Sequence, residues 1–298
     1  MDRLDELTVF VAILDAGSLN GAARQLRRSP PSVTRALAGL ETRLGTRLIE
    51  RTTRRLTATE TGRRFGDDAR RALAAYAEAI QPAADSAPRG LLRITAPLIF
   101  GRRHVTPVVA SFLDAYPAIQ AELSLADRYL DLREEGFDIA LRIGPPVETL
   151  PAPHRLGEVR RIVVASPDYV ARHGEPGLPA ELTRHAIVNV IGRSGPHEWR
   201  FRAGRHERVV HLTPRLTVNE IEAALVAVRA GHGVTQVLSY QVAEEIAAGT
   251  LVRLLRDYEP PPLPVALVAA SSDPPSRVRA FMQHAAPLLS VLPVVQPE

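Results

Sequence analysis

The 24 residues from Ser18 to Glu41, SLNGAARQLRRSPPSVTRALAGLE, constrain the fold more than any other part of this chain. They contain two helix starts separated by a short turn. Ser18 can cap the first helix with its side-chain oxygen. Ser29 can cap the second, and Pro30 fits its first helical position, where proline forfeits no hydrogen bond. The pattern predicts two helices joined by a tight turn.

The second helix of this pair has one apolar and one polar face. Its apolar residues recur at steps of four, three and four, which is the spacing of a stripe buried against neighbouring helices. This stripe consists of Val33, Leu37, Leu40 and Leu44. The opposite face carries small, hydroxylated and basic side chains. These are Pro31, Arg35, Ala38 and Thr42, with Ser32 and Thr34 on the flanks.

Such a polar face suits the major groove of DNA. Small residues let the backbone approach, hydroxyls can bind phosphates or base edges, and a guanidinium can pair with guanine O6 and N7. The alternative is an ordinary surface helix with a solvated arginine. On the DNA interpretation, the candidate contacts are Ser29, Pro31, Ser32, Thr34, Arg35 and Ala38.

The segments on either side complete a winged helix-turn-helix pattern. Upstream, an amphipathic helix ends at Gly17, so the order is helix, helix, turn, recognition helix. Downstream, residues 47–59 (RLIERTTRRLTAT) alternate apolar and polar residues around a basic centre, as a two-stranded wing does. Arg51, Arg54 and Arg55 are candidate contacts to the DNA backbone, with solvated hairpin charges as the alternative.

Positive charge is concentrated in the same part of the chain. The chain carries a net charge of +4, and residues 1–90 contain 15 arginines and 11 acids, whereas residues 91–298 contain 22 of each. Between Arg24 and Arg71 there are 13 arginines against 5 acids. Such an excess binds polyanions by releasing their counterions. We therefore expect double-stranded DNA as the partner of the first part.

Composition and spacing exclude several kinds of site. The absence of cysteine and lysine removes disulfides, thiol nucleophiles, and Walker and Schiff-base lysines. The nine histidines lack zinc-site spacing, and in Gly192–Pro196 (GRSGP) a proline replaces the second glycine of a nucleophile elbow. We therefore expect no catalytic residues, metal or cofactor. Without an 18-residue apolar run or a signal peptide, a cytoplasmic chain with no membrane partner is expected.

A long helix is predicted to follow the wing. Thr59 or Thr61 can cap it, and it runs to about Ile80. Its apolar residues fall near heptad spacing. They are Phe65, Ala69, Ala72 or Leu73, Tyr76 and Ile80. This narrow seam can pack on the chain's own domains or pair with the same helix of a second copy, and the proline- and glycine-containing residues 81–90 then form a hinge.

From Leu91 onward, short apolar strands alternate with helices, including a helix predicted near Leu130 to Glu135, which indicates α/β organisation. Ligands bind such sheets beyond the carboxyl ends of the strands, where helix N-termini offer N–H donors. The candidates at these ends are Thr95, Pro97, Phe100, Gly101, Asp127, Arg142, Gly144, Ser166, Asn219, Gly233 and Thr235.

Helix capping explains each of these residues singly. Taken together they favour a cleft for a small effector, with anionic effectors among the candidates. Arg142 is the first residue to test, and a half-buried ion pair with a nearby acid is its alternative role.

Residues 1–65 resemble the winged helix-turn-helix of LysR-type transcriptional regulators. The resemblance rests on AARQL (22–26), SPPSVTRALAGLE (29–41) and RLGTRLIERTTRRLTATETG (43–62). Residues 127–144, 159–174 and 216–235 resemble the effector-binding domain of the same family. Many members have glutamine where this chain has Pro30, so base reading is assigned to Ser32, Thr34 and Arg35 instead.

The resemblance implies an α+β multidomain fold. Residues 1–62 form the winged helix-turn-helix, residues 63–90 the linker (dimerisation) helix and hinge, and residues 91–298 a two-lobed α/β domain like a type 2 periplasmic binding protein. Lobe 1 then comprises about 91–165 and 266–298, and lobe 2 about 166–265.

The implied function is that of a sequence-specific transcriptional regulator controlled by a small-molecule effector. It would act as a homodimer or homotetramer on promoter or operator DNA, with RNA polymerase as a further partner. The alternative, supported by residues 91–298 alone, is a small-molecule binding protein without gene-regulatory action.

Overall fold

The computed structural model describes residues 2–51, 56–79, 87–128, 130–146, 150–191 and 198–295. The chain divides into two compact units, Met1–Ala87 and Pro88–Glu298. The first unit contains helices α1 (Arg3–Ala16), α2 (Leu19–Gln25), α3 (Pro30–Leu44) and α4 (Glu60–Ala79), and strands β1 (Ile49–Arg51) and β2 (Leu56–Ala58).

The core of the first unit forms where α1, α2 and α3 pack together. Phe10 and Ile13 of α1 are fully buried, and the apolar stripe of α3 lies against the same cluster. The predicted stripe is one residue too long, because Leu44 is 41% exposed. It lies in the last residue of α3, where Gly45 in the left-handed conformation ends the helix.

The helix boundaries follow the predicted caps with one exception. Ser18 accepts a hydrogen bond from the backbone N–H of Gly21 at 3.0 Å. Ser29 occupies the N-cap position of α3, but its side chain forms no capping hydrogen bond. The next two residues are prolines without an N–H, and the first free N–H, that of Ser32, bonds to the Ser29 carbonyl oxygen at 3.0 Å. The hydroxyl of Ser29 therefore has no capping role.

The wing is an antiparallel pair of short strands in which Ile49 lies opposite Ala58. The tip, residues 52–55, is outside the described residues. Thr59, rather than Thr61, caps α4 by accepting a hydrogen bond from the N–H of Gly62 at 2.9 Å. The two halves of the apolar seam of α4 have different surroundings. In the first half Phe65 packs on Phe10 with ring centroids 5.6 Å apart, whereas in the second half Tyr76 is 49% exposed. Ile80 is outside the described residues.

The second unit alternates strands and helices. In chain order these are β3 (Gly90–Ala96), α5 (Leu98–Phe100), α6 (Thr106–Ala115), β4 (Ile119–Leu125), β5 (Ile139–Ile143), β6 (His154–Val159), β7 (Arg161–Ala165), α7 (Pro167–His173), β8 (Val188–Val190), β9 (Glu198–Ala203), β10 (His206–His211), β11 (Leu216–Val218), α8 (Ile221–Arg229), β12 (Thr235–Leu238), α9 (Ala243–Ala247), β13 (Val252–Leu254), β14 (Leu263–Ala269) and α10 (Ser276–Ser290). Single π or 3-10 turns lie at Gly101–Val105, Pro179–Arg184, Ser239–Gln241 and Arg256–Tyr258.

Two lobes are evident from the sheets. The first lobe has a five-stranded sheet in the order β4-β3-β5-β14-β6, in which β3 runs parallel to β4 and β5, and β14 runs antiparallel to β5 and β6. The second lobe has the antiparallel sheet β12-β7-β13, the parallel pair β8 and β11, and the hairpin of β9 and β10. The chain thus crosses between lobes twice.

The lobe limits differ from those expected. Strand β7, which the limits implied by the resemblance place in lobe 1, pairs with β12 and β13 and so belongs to lobe 2. Its run of buried apolar residues suits either sheet, so only its strand pairing shows to which lobe β7 belongs. Strand β14 returns to the first sheet at Leu263, before the expected limit at residue 266.

Two local predictions in the first lobe also fail. Residues near Leu130 to Glu135 form turns instead of a helix, because the Asp131 carboxylate accepts hydrogen bonds from the N–H groups of Arg133 and Glu134 at 2.9 and 3.1 Å. Strand β6 is not predicted, since prolines precede it and Gly157 interrupts its apolar alternation.

Candidate functional site

The polar face of α3 is accessible within its own unit. Pro31, Arg35 and Ala38 are exposed, and Ser32 and Thr34 are half-buried. Within the part of the chain that the structure describes, the Arg35 side chain forms no hydrogen bond or ion pair. A guanidinium held on a rigid helix without an internal acid is available to an external acceptor.

Other arginines of the basic segment are used internally. Arg28 forms a two-point ion pair with Asp5, with one N–O distance of 2.8 Å, which holds the turn before α3 against α1. Arg43 pairs with the buried Glu6 of α1. These contacts give Arg28 and Arg43 structural roles, so the local charge excess overstates the number of arginines available to a partner.

The structure describes only part of the wing. The backbone of Arg51 ends β1, while Arg54 and Arg55 lie outside the described residues. The base of the wing is fixed to α3, because the carboxylate of Glu41 accepts hydrogen bonds from the N–H groups of Leu48 and Ile49 at 2.8 and 3.1 Å. The recognition helix and the wing are therefore joined by a direct polar contact.

The second unit contains a cavity of about 540 Å³ lined by residues of both lobes. It has the size of a small-molecule site. Six residues predicted from the strand ends line it, and they come from five separate parts of the chain. They are Thr95, Pro97, Asp127, Arg142, Asn219 and Thr235.

Three of the remaining predicted residues have packing roles. The buried ring of Phe100 meets that of Tyr240 edge to face at 5.1 Å. A Cβ added at Gly101 would lie 2.2 Å from a methyl carbon of Leu125. A Cβ at Gly233 would lie 2.4 Å from the Ala186 carbonyl oxygen. Their small size or apolar surface serves close packing, and none of the three lines the cavity itself.

Ser166 and Gly144 are also absent from the lining of the large cavity. Ser166 caps α7 by accepting a hydrogen bond from the N–H of Tyr169 at 3.3 Å. Gly144 has a φ of +124°, which favours glycine, and lines a separate cavity of about 140 Å³ beside Arg142. For Ser166, the alternative of helix capping explains the sequence signal.

The polar residues of the large cavity differ in how far the protein satisfies them. Asp127 accepts a hydrogen bond from the N–H of Leu98 at 2.9 Å, and Arg142 donates one to the Leu130 carbonyl oxygen at 2.6 Å. In contrast, the Thr235 hydroxyl and the Gln236 side-chain nitrogen are buried and have no hydrogen-bond partner among the described residues. Unsatisfied buried polar groups are costly unless something else binds them.

Several cavity residues escape the sequence prediction. They are Arg161, Asn189, Glu198, Trp199, Gln236, Tyr240 and Gln241. Burial raises the pKa of the Tyr240 phenol, so this group remains a neutral hydrogen-bonding group. The sequence prediction considers only residues at strand ends. Gln236 and Trp199 instead lie within strands β12 and β9, and they line the cavity because of how the sheets are arranged.

Among the residues that the structure describes, no helix is both long and apolar enough to cross a lipid bilayer. No group of three or more histidines or acids is placed to hold a metal ion within those residues.

Comparison with known proteins agrees with this architecture. Residues 4–63 match the bacterial regulatory helix-turn-helix family of the LysR type, and residues 85–289 match the LysR substrate binding domain. The regulator PtxR of Pseudomonas aeruginosa is 35% identical over 94% of this chain and 91% of its own length. The uncharacterised regulator YhjC of Escherichia coli is 34% identical over 95% and 96% of the two chains.

Solved structures show the same likeness over the full length. The virulence activator AphB of Vibrio cholerae is 27% identical, with a TM-score of 0.60 over 96% of this chain and 99% of its own. CrgA of Neisseria meningitidis is 29% identical, with a TM-score of 0.58 over 96% and 97%. The helix-turn-helix match favours gene regulation over binding of a small molecule alone. This chain belongs to the LysR family of transcriptional regulators, with an N-terminal DNA-binding helix-turn-helix and a C-terminal effector-binding domain.

Proposed function

We propose that α3 enters the major groove of operator DNA and reads its sequence there. Ser32, Thr34 and Arg35 would contact base edges or adjacent phosphates, while Ser29, Pro31 and Ala38 allow the helix to approach closely. The observation that supports this most is the exposed Arg35 guanidinium, which has no acceptor among the described residues.

The wing contacts the DNA backbone in this proposal. Arg51, Arg54 and Arg55 supply the positive charge, and the hairpin of β1 and β2 supports the assignment. The hydrogen bonds from the wing backbone to Glu41 would keep these contacts in register with α3. Phosphate contacts of this kind position the protein without reading the sequence.

The cavity of the second unit is the proposed effector site. Thr95, Pro97, Asp127, Arg142, Asn219 and Thr235 line it, while Phe100, Gly101, Gly144, Ser166 and Gly233 support its walls and helix ends. An effector that binds two arrangements of the lobes with different affinity shifts their populations, and through them the placement of paired DNA-binding units. No step in this role needs a catalytic residue, so we propose a regulator without enzymatic activity.

Two copies would pair through the second half of α4. Leu73 is half-buried and Tyr76 is exposed in the single chain, whereas Phe65 already packs against Phe10. A two-fold dimer places its recognition helices in half-sites about 34 Å apart or a multiple of that. The dimer, or a tetramer built from it, would act in the cytoplasm at promoters, where RNA polymerase becomes a further partner.

The test compares DNA from beside the protein's own gene with random DNA of equal length. Fluorescence anisotropy over a range of salt should show much tighter binding to the promoter, and equal affinity for both would overturn the proposal. Arg35→Ala should cost about 1–3 kcal/mol on the promoter alone. Arg64→Ala, on exposed α4, is the control and should not change the preference. An equal loss on both DNAs would make Arg35 a phosphate contact.

A further inference from the structure

The cavity of the second unit contains arginines in unequal electrostatic situations. Arg128 is neutralised by Glu135, to which its two terminal nitrogens donate hydrogen bonds, both at 2.9 Å. Arg161, at the first position of β7, is half-buried, and its guanidinium forms no hydrogen bond or ion pair with any residue in the described ranges. Arg161 therefore brings to the cavity wall a positive charge that the described residues leave uncompensated.

Two acids near this crossover are already engaged, and one of them, Glu158 of β6, pairs with Arg155. Glu259, which is almost fully buried, lies 4.0 Å from a terminal nitrogen of Arg160 and accepts hydrogen bonds from Arg253. Burial lowers the pKa of Arg161, and no nearby acid opposes that effect. A desolvated guanidinium without a counter-charge is unfavourable in the empty protein, so its presence on a cavity wall indicates an anionic ligand.

A second donor lies on the same side of the sheet. Leu238 of β12 is the cross-strand partner of Arg161, and Gln236 lies two residues away from Leu238. Side chains two residues apart project from the same face of a strand. The Gln236 side-chain nitrogen is buried and without a partner among the described residues, and both residues line the cavity. A guanidinium and an amide N–H₂ are both donors, as an anionic oxygen requires.

The rest of the cavity wall includes a substantial apolar portion. Trp199, Ile143 and Leu263 contribute to it, along with Leu238. A small inorganic ion would leave most of a 540 Å³ space unfilled. The lining therefore fits an organic molecule with an apolar body and one acidic end.

We propose that the effector is an organic anion whose carboxylate, phosphate or sulfonate group binds to Arg161 and Gln236, with its apolar part against Trp199. This inference rests on the proposed function, since it specifies the ligand of the same cavity. Because Arg161 directly follows the crossover between β6 and β7, an anion bound there adds contacts where the lobes are joined. Arg161 is thus a specificity-determining residue.

The experiment uses the full-length protein and matched pairs of small probes. Carboxylates, phosphate monoesters and sulfonates with aryl or alkyl bodies are each compared with the neutral amide, ester or sulfonamide. Thermal unfolding and calorimetry are run at concentrations that detect a Kd as weak as about 1 mM. We expect saturable binding by at least one anionic class and not by its neutral partners, and the three arms show which acid group is preferred.

Two variants test the residue. Arg161→Gln should weaken anion binding about tenfold or more, as loss of a charge-assisted hydrogen bond does. The control is Arg200→Gln, which should leave binding within about twofold, because Arg200 is exposed on β9, pairs with Glu207 and is absent from the cavity lining. Arg161→Met should raise the melting temperature of the ligand-free protein, since it removes an uncompensated charge. A fall in stability would indicate a structural role and would overturn the proposal.

Binding to promoter DNA separates this inference from the proposed function. Suppose that the protein binds its promoter. Three results would then refute only the inference about the anion and Arg161: a preference for neutral probes, no binding of any anion, or equal anion binding by Arg161→Gln and the wild type. Protein without promoter preference would refute the proposed function, whatever the probes show.

Discussion

The carboxylate of Glu41, in the last part of α3, accepts a hydrogen bond from the backbone N–H of Leu48 at 2.8 Å. The same oxygen accepts a second bond, at 3.1 Å, from the next N–H along the chain. Leu48 is fully buried, so its N–H has limited access to water. One side chain therefore satisfies the backbone that enters the wing and fixes the wing to the recognition helix.

Glu41→Ala should destabilise the first unit by about 1–3 kcal/mol, because it leaves buried N–H donors without acceptors. Hydrogen exchange in the full-length protein should show faster exchange at residues 48 and 49, and denaturant unfolding should report the loss. Glu50→Ala removes an exposed acid of the wing and is the matched control, expected to change stability by less than about 0.5 kcal/mol. Unchanged exchange at residue 48 in Glu41→Ala would contradict the assigned contact.

The first unit is largely predictable because its signals are local. The caps at Ser18 and Gly17, and the periodic stripe ending at Leu40, each act within a few residues of one helix. The expected α+β architecture of a helix-turn-helix followed by a two-lobed domain is confirmed. The cap at Ser29 fails for a similarly local reason, since two prolines remove the donors that it would bind.

The cavity is predictable only in part. Thr95 lies near the carboxyl end of β3, where the strand-end rule predicts ligand-binding residues. Thr235 is the first residue of β12, so a rule based on carboxyl ends does not account for its place on the cavity wall. Arg161 and Gln236 lie on the same face of one sheet only because β7 pairs with β12, across more than 70 residues of chain. Such pairing depends on long-range packing that no local periodicity encodes. Arg142 lies on the cavity wall and donates a hydrogen bond to the Leu130 carbonyl oxygen.

The ion pair of Asp5 and Arg28 should give the first unit a dependence on acid pH. The hydrogen bond from Arg28 lowers the pKa of Asp5 below its usual value of 3.8. A carboxyl group with a lowered folded-state pKa stabilises the fold above its unfolded pKa, and that contribution is lost as the pH falls through the lowered value.

Asp5→Asn should therefore lower stability near neutral pH by less than about 1 kcal/mol, because the pair is partly exposed. The difference from wild type should shrink below the usual pKa of the carboxyl group. Urea unfolding across the acid range measures both proteins, with Asp2→Asn as a control. If the difference in unfolding free energy between wild type and Asp5→Asn grew as the pH fell, the ion pair would not be its cause.

The exposed half of the α4 seam predicts the oligomeric state. Tyr76→Glu places a charge at the proposed contact between two copies and should weaken the dimer by about tenfold or more, since a buried unpaired charge is costly. Sedimentation velocity over a range of concentration measures the change. Arg71→Glu lies on the same helix but outside the seam and should have a smaller effect. Equal oligomerisation of Tyr76→Glu and wild type would show that pairing uses another surface.

Two helical glycines should respond in opposite ways to alanine. A Cβ at Gly62, in the first turn of α4, would lie 2.0 Å from the backbone carbonyl oxygen of Leu48, which cannot move without displacing the wing. Gly39 is exposed in α3, and its nearest neighbour is a Glu6 oxygen at 3.6 Å, an ordinary contact.

Gly39→Ala should thus stabilise the protein by up to about 1 kcal/mol through helix propensity, whereas Gly62→Ala should destabilise it by about 1–3 kcal/mol through overpacking. Thermal unfolding of the full-length variants gives both signs. Promoter binding is measured at a temperature where both variants remain folded. It should fall further in Gly62→Ala than in Gly39→Ala, because only the clash at Gly62 displaces the wing from α3. A stabilising Gly62→Ala would show that α4 and the wing separate freely, and the fixed spacing between recognition helix and wing would no longer hold.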